Sequence, residues 1–204
     1  MIIDFSATQS LQRYHLLTQT VIPRPIAWVL SQNDNASNYN LAPFSFFNAI
    51  CSDPPLLVLS IGKKPDGSIK DTRRNILSGR EFVVHIASLA QAEPLNASAA
   101  VLDYGESELE GMRLSLVDFE GCAVPRIAEA LVAYHCRLYD VHELGPNRQA
   151  IIYAEIHQLY LDDTIVKEEN DRLYIDAVAL NPLARLGAAE FAGIGRPFSL
   201  KRPD

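Results

Sequence analysis

The sequence predicts a mainly β fold, a β-barrel or sandwich with helical insertions, on three observations. Short runs of Val, Ile, Leu and aromatic residues recur along the chain between Pro, Gly and Asn stops. Two longer β-like runs in the second half are joined by a single turn. Strands and helices do not alternate regularly, as they would in a doubly wound parallel sheet.

The first predicted elements are short strands and one helix, each bounded by turn signals. The strands combine branched or aromatic residues with Pro, Asn or Gly at their ends and cover Ile26–Ser31, Leu56–Ile61 and Glu81–Ala87. A helix is predicted over Asp71–Leu77, because the Ser78-Gly79 pair stops it.

The second half predicts a long β-hairpin. Leu131–Val141 alternates apolar and polar residues, Ala150–Leu161 is rich in Ile, Tyr and Leu, and Leu144–Asn147 forms the turn between them. Leu89–Gly111 is predicted to be helical in pieces. Met112–Phe119 is predicted to form a short strand, and Arg172–Asp176 a last short strand.

Length and composition indicate one ordinary globular domain over residues 1–204, with no linker. The chain is 48% hydrophobic and 21% charged, which excludes a disordered chain. With 18 basic and 25 acidic residues the net charge is −7. An acidic balance disfavours nucleic acid or anionic lipid as a partner, although one local basic pocket for a phosphate remains compatible with it.

The cysteines and the N-terminus predict a cytoplasmic location. Cys51, Cys122 and Cys136 are odd in number and widely spaced, which favours buried reduced thiols over disulfides or a thiolate zinc site. The first residues lack a basic region followed by an apolar run, so no signal peptide is predicted. No window is apolar over about 18 residues, so no membrane span is predicted.

The sequence also lacks the familiar catalytic motifs. It contains no G-x-G-x-x-G, P-loop, H-E-x-x-H or G-x-S-x-G pattern, so no catalytic residue and no metal ligand is assigned. His135, His142 and His157 could converge on paired strands, but ordinary strand-face histidines are the favoured interpretation.

The most informative stretch runs from Thr20 to Ile86. Lys70 and Thr72 lie at a predicted helix start, where free backbone N–H groups, an ammonium and a hydroxyl would suit a phosphate. Prolines and aromatics upstream would form a rigid wall for a planar ring. The pattern therefore suggests a phosphorylated, flat, aromatic ligand. The alternatives stay open: Asp71 as a helix cap, Lys70 as a solvated charge, and the aromatics as core.

Four elements of this stretch resemble the flavin reductase-like family, the FMN-binding split barrels that include flavoredoxin. They occur in the family order and approximate spacing: Pro23–Trp28, Asn40–Asn48, Asp53–Pro55 and Lys70–Thr72. Weaker similarity extends the resemblance over about residues 10–192. It implies a homodimer of split β-barrels, with FMN rather than FAD held noncovalently near the dimer interface.

The resemblance also implies the cofactor-binding residues. At the FMN phosphate it places Lys70, Asp71 and Thr72. On the phosphate and ribityl side it places Ser60, Ile61 and Gly62. Along the ribityl chain and isoalloxazine it places Ala42, Pro43, Phe44 and Ser45, with Asn48 nearby. Arg24 is expected at the flavin without an assigned contact, and Arg185 near the pocket.

Four positions depart from the family pattern. His85 replaces a common Asn, and His135 replaces a common acidic residue; both are expected to alter strand-face packing. Ala188 and Phe191 replace the usual Gly and Tyr, which leaves the C-terminal part of the pocket, and hence the choice of substrate, open.

Three functions follow as hypotheses. The first is an FMN-dependent oxidoreductase that passes electrons from NAD(P)H through flavin to a small-molecule or protein acceptor. The second is an FMN-binding electron-transfer protein without NAD(P)H reductase activity. The third is a barrel with a vestigial pocket, against which the intact Asn40–Asn48 and Lys70–Thr72 segments argue.

Overall fold

A computed structural model describes residues 1–34, 38–169 and 171–203. The described strands are β1 Arg24–Pro25, β2 Ala27–Gln32, β3 Tyr39–Phe44, β4 Phe47–Ser52, β5 Pro55–Ile61, β6 Phe82–His85, β7 Leu116–Val117, β8 Arg126–Ile127, β9 Val132–Leu144, β10 Gln149–Leu161, β11 Val166–Glu169, β12 Arg172–Ile175, β13 Ala184–Arg185 and β14 Phe191–Ala192. The described helices are α1 Ser10–Thr20, α2 Asp71–Leu77, α3 Ala92–Ala97 and α4 Ala177–Leu180, with 3-10 turns at Phe5–Ala7, Leu89–Gln91 and Asp163–Ile165.

A seven-stranded antiparallel sheet forms the body of the molecule, in the order β3-β2-β6-β9-β10-β5-β4. Its two edge strands, β3 and β4, are consecutive in the chain and separated by only Ser45 and Phe46. A flat sheet could not bring its edges within two residues of each other, so this one rolls up. The Ser60 N–H donates to the Phe46 carbonyl at 2.9 Å and fixes the corner to β5. The predicted fold class, a mainly β split barrel, is confirmed.

Strand β2 is buried along almost its whole length because it serves two hydrophobic cores. Ala27 and Val29 point into the barrel, where they pack with alternate residues of β5, β6 and β10. Trp28 and Leu30 point outward and pack under α3 and the segment around Val124–Ile127. Successive side chains of a strand face opposite sides, so a strand buried on both faces reads as a continuous apolar run.

The long hairpin is confirmed as β9 and β10, which pair from Val132–Leu161 to Leu144–Gln149. Gly145 and Arg148 in the turn have φ of 68° and 50°. This is the left-handed conformation, which glycine adopts at lower cost than other residues, and it explains the glycine at 145. Two register shifts, beside Tyr153 and Ile156, bend the ribbon. Such bulges favour the curvature that a barrel requires.

The predicted helix over Asp71–Leu77 is confirmed with the same bounds as α2. The Leu89–Gly111 segment is helical only as far as Ala97, and glycines at 105 and 111 with positive φ turn the remainder. The Met112–Phe119 strand shrinks to β7.

Both ends of the chain form elements that the sequence patterns did not predict. Helix α1 buries only Thr18, so its amphipathic signal is weak. The short strand predicted at Arg172–Asp176 is confirmed as β12, and two strands that were not predicted follow it: β13 pairs with β1, and β14 pairs with β13. These strands are two residues long, too short to give a periodic pattern. Across the described residues, no helix combines the length and apolar character needed to cross a membrane.

Candidate functional site

Two adjoining cavities open along strand β3. The first has a volume of about 90 Å³ and is lined by Asn40, Ala42, Pro43, Phe44, Lys64, Lys70, Asp71, Thr72, residues 98–102 and Glu108. The second, of about 280 Å³, is lined by Tyr14, Ile26, Pro43, Ser45, Leu95, Asn96, Ala99, Arg185 and Phe191. Pro43 and Ala99 line both cavities, so the two meet at the middle of the site.

Lys70 is one of the two lysines that line the first cavity, with Lys64. It is the residue before α2, with extended backbone, and its Nζ lies 5.5 Å from the centre of the Phe44 ring. Burial, and then the nearby charge of Lys64, lower the pKa of its ammonium. Among the described residues no carboxylate lies within ion-pair distance of Lys70. A partly buried ammonium without a counter-ion favours binding of an anion.

Thr72 lies beside Lys70 and is 1% exposed. Its Oγ1 accepts a hydrogen bond of 2.7 Å from the Asn40 side-chain amide on β3. That bond uses the oxygen as an acceptor and leaves the hydroxyl hydrogen available to a ligand. Strand β3 and helix α2 thus hold one donor in place between them.

Asp71 is paired within the protein. The Lys64 ammonium lies 3.1 Å from its Oδ1, and the same ammonium donates to the Leu102 carbonyl at 2.9 Å. Asp71 is the first residue of α2 rather than its N-cap. Its charge is therefore largely balanced by Lys64, and the pair also attaches the segment around Leu102 to the cavity wall.

Glu108 is the second carboxyl group of the first cavity. Its side chain is buried, and its Oε2 accepts the Leu41 backbone N–H at 2.8 Å. Burial, and to a smaller extent the charge of Asp71, raise the pKa of Glu108 to about 7. Near neutral pH this carboxyl group exchanges a proton at the point where an anionic ligand would approach.

Two C-terminal residues that the family resemblance singled out, Arg185 and Phe191, line the second cavity. The Arg185 guanidinium lies 4.4 Å from the centre of the Phe191 ring and donates to the Ala188 carbonyl. Ala188 has φ of 50°, a left-handed conformation that glycine adopts at lower cost. The departures at 188 and 191 thus shape the environment of Arg185, a cation beside an aromatic wall.

Arg24 contacts the protein rather than a cavity. Its guanidinium donates to the carbonyls of Thr18 and Val21 at the end of α1, to the Leu186 carbonyl at 2.9 Å, and to the Ser45 hydroxyl at 3.3 Å. These bonds use four of its five N–H donors. Arg24 therefore joins both ends of the chain to the β3–β4 corner.

Four other predicted residues lie outside both cavities. Asn48 is on the exposed strand β4, where its side chain accepts the Ala49 N–H. Ile61 is fully buried in the barrel core, and the Ser60 hydroxyl accepts a bond from Gln149 at 2.9 Å. A Cβ on Gly62 would lie 3.0 Å from the Gln149 Oε1, so Gly62 allows that close approach. Their role in binding stays a prediction.

His85 forms a second buried polar network, on the outer core. Its Nδ1 donates to the Trp28 carbonyl at 3.0 Å, and its Nε2 accepts the Ile127 N–H at 3.0 Å. Burial lowers the pKa of His85 to about 4, so the ring is neutral at pH 7. The Trp28 indole N–H donates to the Ser98 hydroxyl at 2.8 Å, which connects this network to the cavity wall.

Sequence reasoning missed several residues of the first cavity. They are Lys64, the segment 98–102 and Glu108, together with Asn40, which was predicted only as the first residue of a motif. Lys64 and Glu108 carry no local motif, and the fold alone brings them to α2. The predicted residues that the structure does bring together are Ala42, Pro43, Phe44, Lys70, Asp71 and Thr72, with Ser45 in the adjoining cavity.

Comparison with known proteins agrees with this architecture. Residues 19–179 match the family described as flavin reductase like domain. A curated uncharacterized protein of Halalkalibacterium halodurans is 38% identical over 197 residues, which cover 94% of this chain and 91% of that protein.

Two solved structures are also similar over nearly the whole chain. Nitrilotriacetate monooxygenase component B from Bacillus cereus has a TM-score of 0.89 and 32% identity, and the match covers 98% of each chain. The 2-nitrobenzoate 2-nitroreductase NbaA of Pseudomonas fluorescens has a TM-score of 0.87 and 29% identity, covering 100% of this chain and 96% of that one.

Proposed function

Because this chain belongs to the flavin reductase-like family, we propose that it is an oxidoreductase that holds FMN in the two adjoining cavities. Electrons would pass from NAD(P)H through the flavin to a small-molecule or protein acceptor. Bound FMN supplies the hydride and electron transfer chemistry, so the chain needs no acid–base pair of its own.

The observation that carries this proposal is the ammonium of Lys70, which has no carboxylate partner in the described part of the chain, beside the available hydroxyl hydrogen of Thr72. Together they offer a charge and a neutral donor to one phosphate group. The dianionic phosphate is what distinguishes FMN from riboflavin, so Lys70 and Thr72 would recognise the cofactor by that group. Asp71 would contribute its backbone, since Lys64 already binds its carboxylate.

The remaining wall suits the rest of the cofactor. Pro43 and Phe44 present a rigid apolar surface on β3, which continues past Ala99 into the second cavity. There the Ser45 hydroxyl and the Arg185 guanidinium supply polar groups at the rim. Donors near a flavin ring stabilise the negative charge that develops on its reduction. This chain would therefore bind and orient the cofactor and limit its contact with water.

A homodimer completes this proposal. Ligand pockets usually measure about 300–1,000 Å³, and each of the two adjoining cavities, taken alone, falls below that range. Large apolar side chains lie exposed on the α1 and β4 side of the second cavity; they are Tyr14, Leu17, Phe46 and Ile50. A second copy of the chain covering this face would bury them and enclose the flavin.

The acceptor and the location of the protein are part of the same proposal. One similar structure is named as a monooxygenase component and another as a nitroreductase, which supports both a protein and a small-molecule acceptor. All three cysteines are free thiols, which supports a reducing compartment such as the cytoplasm.

The visible spectrum of the purified protein tests the proposal. A yellow protein that NADH or NADPH bleaches anaerobically, at turnover rates, is the expected result. A yellow protein inert to both nucleotides would instead indicate an electron-transfer protein without reductase activity. A colourless protein that takes up no added FMN would overturn both. Sedimentation of the yellow form should give two chains per particle, and a monomer that binds FMN fully would contradict the shared pocket.

A further inference from the structure

Three potential metal ligands converge on the outer face of the sheet, outside the lining of both cavities. Glu81 precedes β6, Cys122 lies in the loop between β7 and β8, and His135 is on β9. The Glu81 carboxylate, the Cys122 Sγ and a ring nitrogen of His135 all lie within 4.8 Å of one another. The fold brings these residues together from three separate segments, so no sequence motif connects them.

The orientation of His135 indicates that a positive charge belongs between these residues. The side chain is 3% exposed, and its Nδ1 lies 3.3 Å from the Gln158 Oε1. An amide oxygen only accepts, so Nδ1 carries the hydrogen, and in the neutral ring Nε2 then presents its lone pair. That lone pair faces the Glu81 Oε1 at 3.4 Å, and Nε2 makes no hydrogen bond within the described residues. A buried ring nitrogen that presents a lone pair to a partly exposed carboxylate is stabilised by a cation between the two groups.

We propose that Glu81, Cys122 and His135 bind a divalent transition-metal ion of the zinc class. Sulfur, imidazole nitrogen and carboxylate oxygen are the zinc ligands of proteins, and tetrahedral donors lie about 3.3–3.8 Å apart. The 3.4 Å between Nε2 and Oε1 already falls in this range. A water molecule would take the fourth position.

The surroundings of these ligands resemble the supporting shell of a metal site. Metal-binding histidines usually donate their other ring N–H to an oxygen, as His135 does to Gln158. The Ala123 backbone N–H donates to the Glu81 Oε2 at 2.7 Å and fixes the carboxylate beside Cys122. A bound ion would thus tie the loop between β7 and β8 to the ends of β6 and β9.

Arg137 competes with a metal for Glu81. Its Nε donates to the Glu81 Oε1 at 2.9 Å, and a second guanidinium nitrogen contacts the same oxygen. Its side chain is 54% exposed, so the guanidinium can move into solvent when an ion binds. Replacing Arg137 with Gln should therefore tighten metal binding rather than weaken it.

Titration with Zn²⁺ tests the site on the purified flavin-loaded protein after treatment with chelator. Saturation near one ion per chain is expected. Cys122→Ser and His135→Gln should each weaken affinity at least tenfold, and Arg137→Gln should strengthen it several-fold. Cys51→Ser and His142→Gln, which change an exposed thiol and an exposed imidazole elsewhere, serve as matched controls and should leave affinity unchanged.

A second measurement uses the unmodified chain and so does not depend on the folding of any variant. Zn²⁺ should slow alkylation of Cys122 by iodoacetamide at least tenfold while leaving the exposed Cys51 unprotected, as read by peptide mass spectrometry. Equal labelling of Cys122 with and without Zn²⁺, or saturable binding that survives in Cys122→Ser and His135→Gln, would overturn the proposal.

Discussion

The first cavity and the His85 network are both buried and polar, yet their hydrogen bonding differs. Each ring nitrogen of His85 has a backbone partner, and the Trp28 indole has the Ser98 hydroxyl. In the cavity, Lys70 has no carboxylate within ion-pair distance among the described residues, and the carboxyl group of Glu108 has a pKa of about 7. Satisfied polar groups support the fold, whereas incompletely paired charges are stabilised by a ligand.

Removing the charge and the hydroxyl from the cavity should have the largest effect. The double variant Lys70→Ala with Thr72→Ala should lose about 4 kcal/mol of FMN binding, roughly a thousandfold in Kd, because two bonds to a charged phosphate disappear. Fluorescence titration measures this. Riboflavin, which has no phosphate, should bind the variant and the parent chain equally, and Lys63→Ala should leave both affinities unchanged. Unchanged FMN affinity in the double variant would remove the phosphate assignment.

Breaking the satisfied network should cost stability instead of cofactor affinity. His85→Ala leaves the Trp28 carbonyl and the Ile127 N–H unpaired beside a new void, and should lower the free energy of unfolding by about 3 kcal/mol. Urea unfolding at pH 7 measures the loss. His85→Asn, which keeps a polar side chain, should cost less. A smaller loss for Ala than for Asn would contradict a structural role for these bonds.

The two regions should also respond to pH with opposite sign. The folded-state pKa of Glu108 is about 7 against 4.5 unfolded, so folding takes up a proton between these values and stability falls as pH rises. The folded-state pKa of His85 is about 4 against 6.5, so its contribution is lost as pH falls through that window. Glu108→Gln should therefore raise stability by about 2 kcal/mol at pH 8 and little at pH 5. Equal gains at both pH values would show that Glu108 does not titrate there.

The smallest expected effect lies where the two regions meet. Ser98→Ala removes the acceptor of the buried Trp28 N–H while leaving Lys70 in place, and should cost about 1 kcal/mol of unfolding free energy. FMN affinity should stay within about threefold of the parent chain. Ser98→Thr, which keeps the hydroxyl, serves as the control. A large loss of FMN affinity in Ser98→Ala would mean that the network and the cavity are not separable.

The sequence predicted the parts of this molecule that depend on local patterns. The hairpin, strand β5 and helix α2 follow from runs and stops, and Ala42–Phe44 and Lys70–Thr72 do meet at one cavity. Glu108 could not be found this way, because only the fold brings it to β3. Ile61 shares the inward face of β5 with Leu57 and Leu59, so its side chain packs in the core, and its predicted role in cofactor binding stays a prediction.

Arg24 makes the two ends of the chain depend on each other. One guanidinium holds the last turn of α1, the carbonyl of Leu186 and the hydroxyl of Ser45 at the corner. Elements that share such an anchor open together in hydrogen exchange, as one cooperative unit. The N-terminal helix and the C-terminal strands should therefore exchange their amide protons at a common rate, although they lie at opposite ends of the sequence.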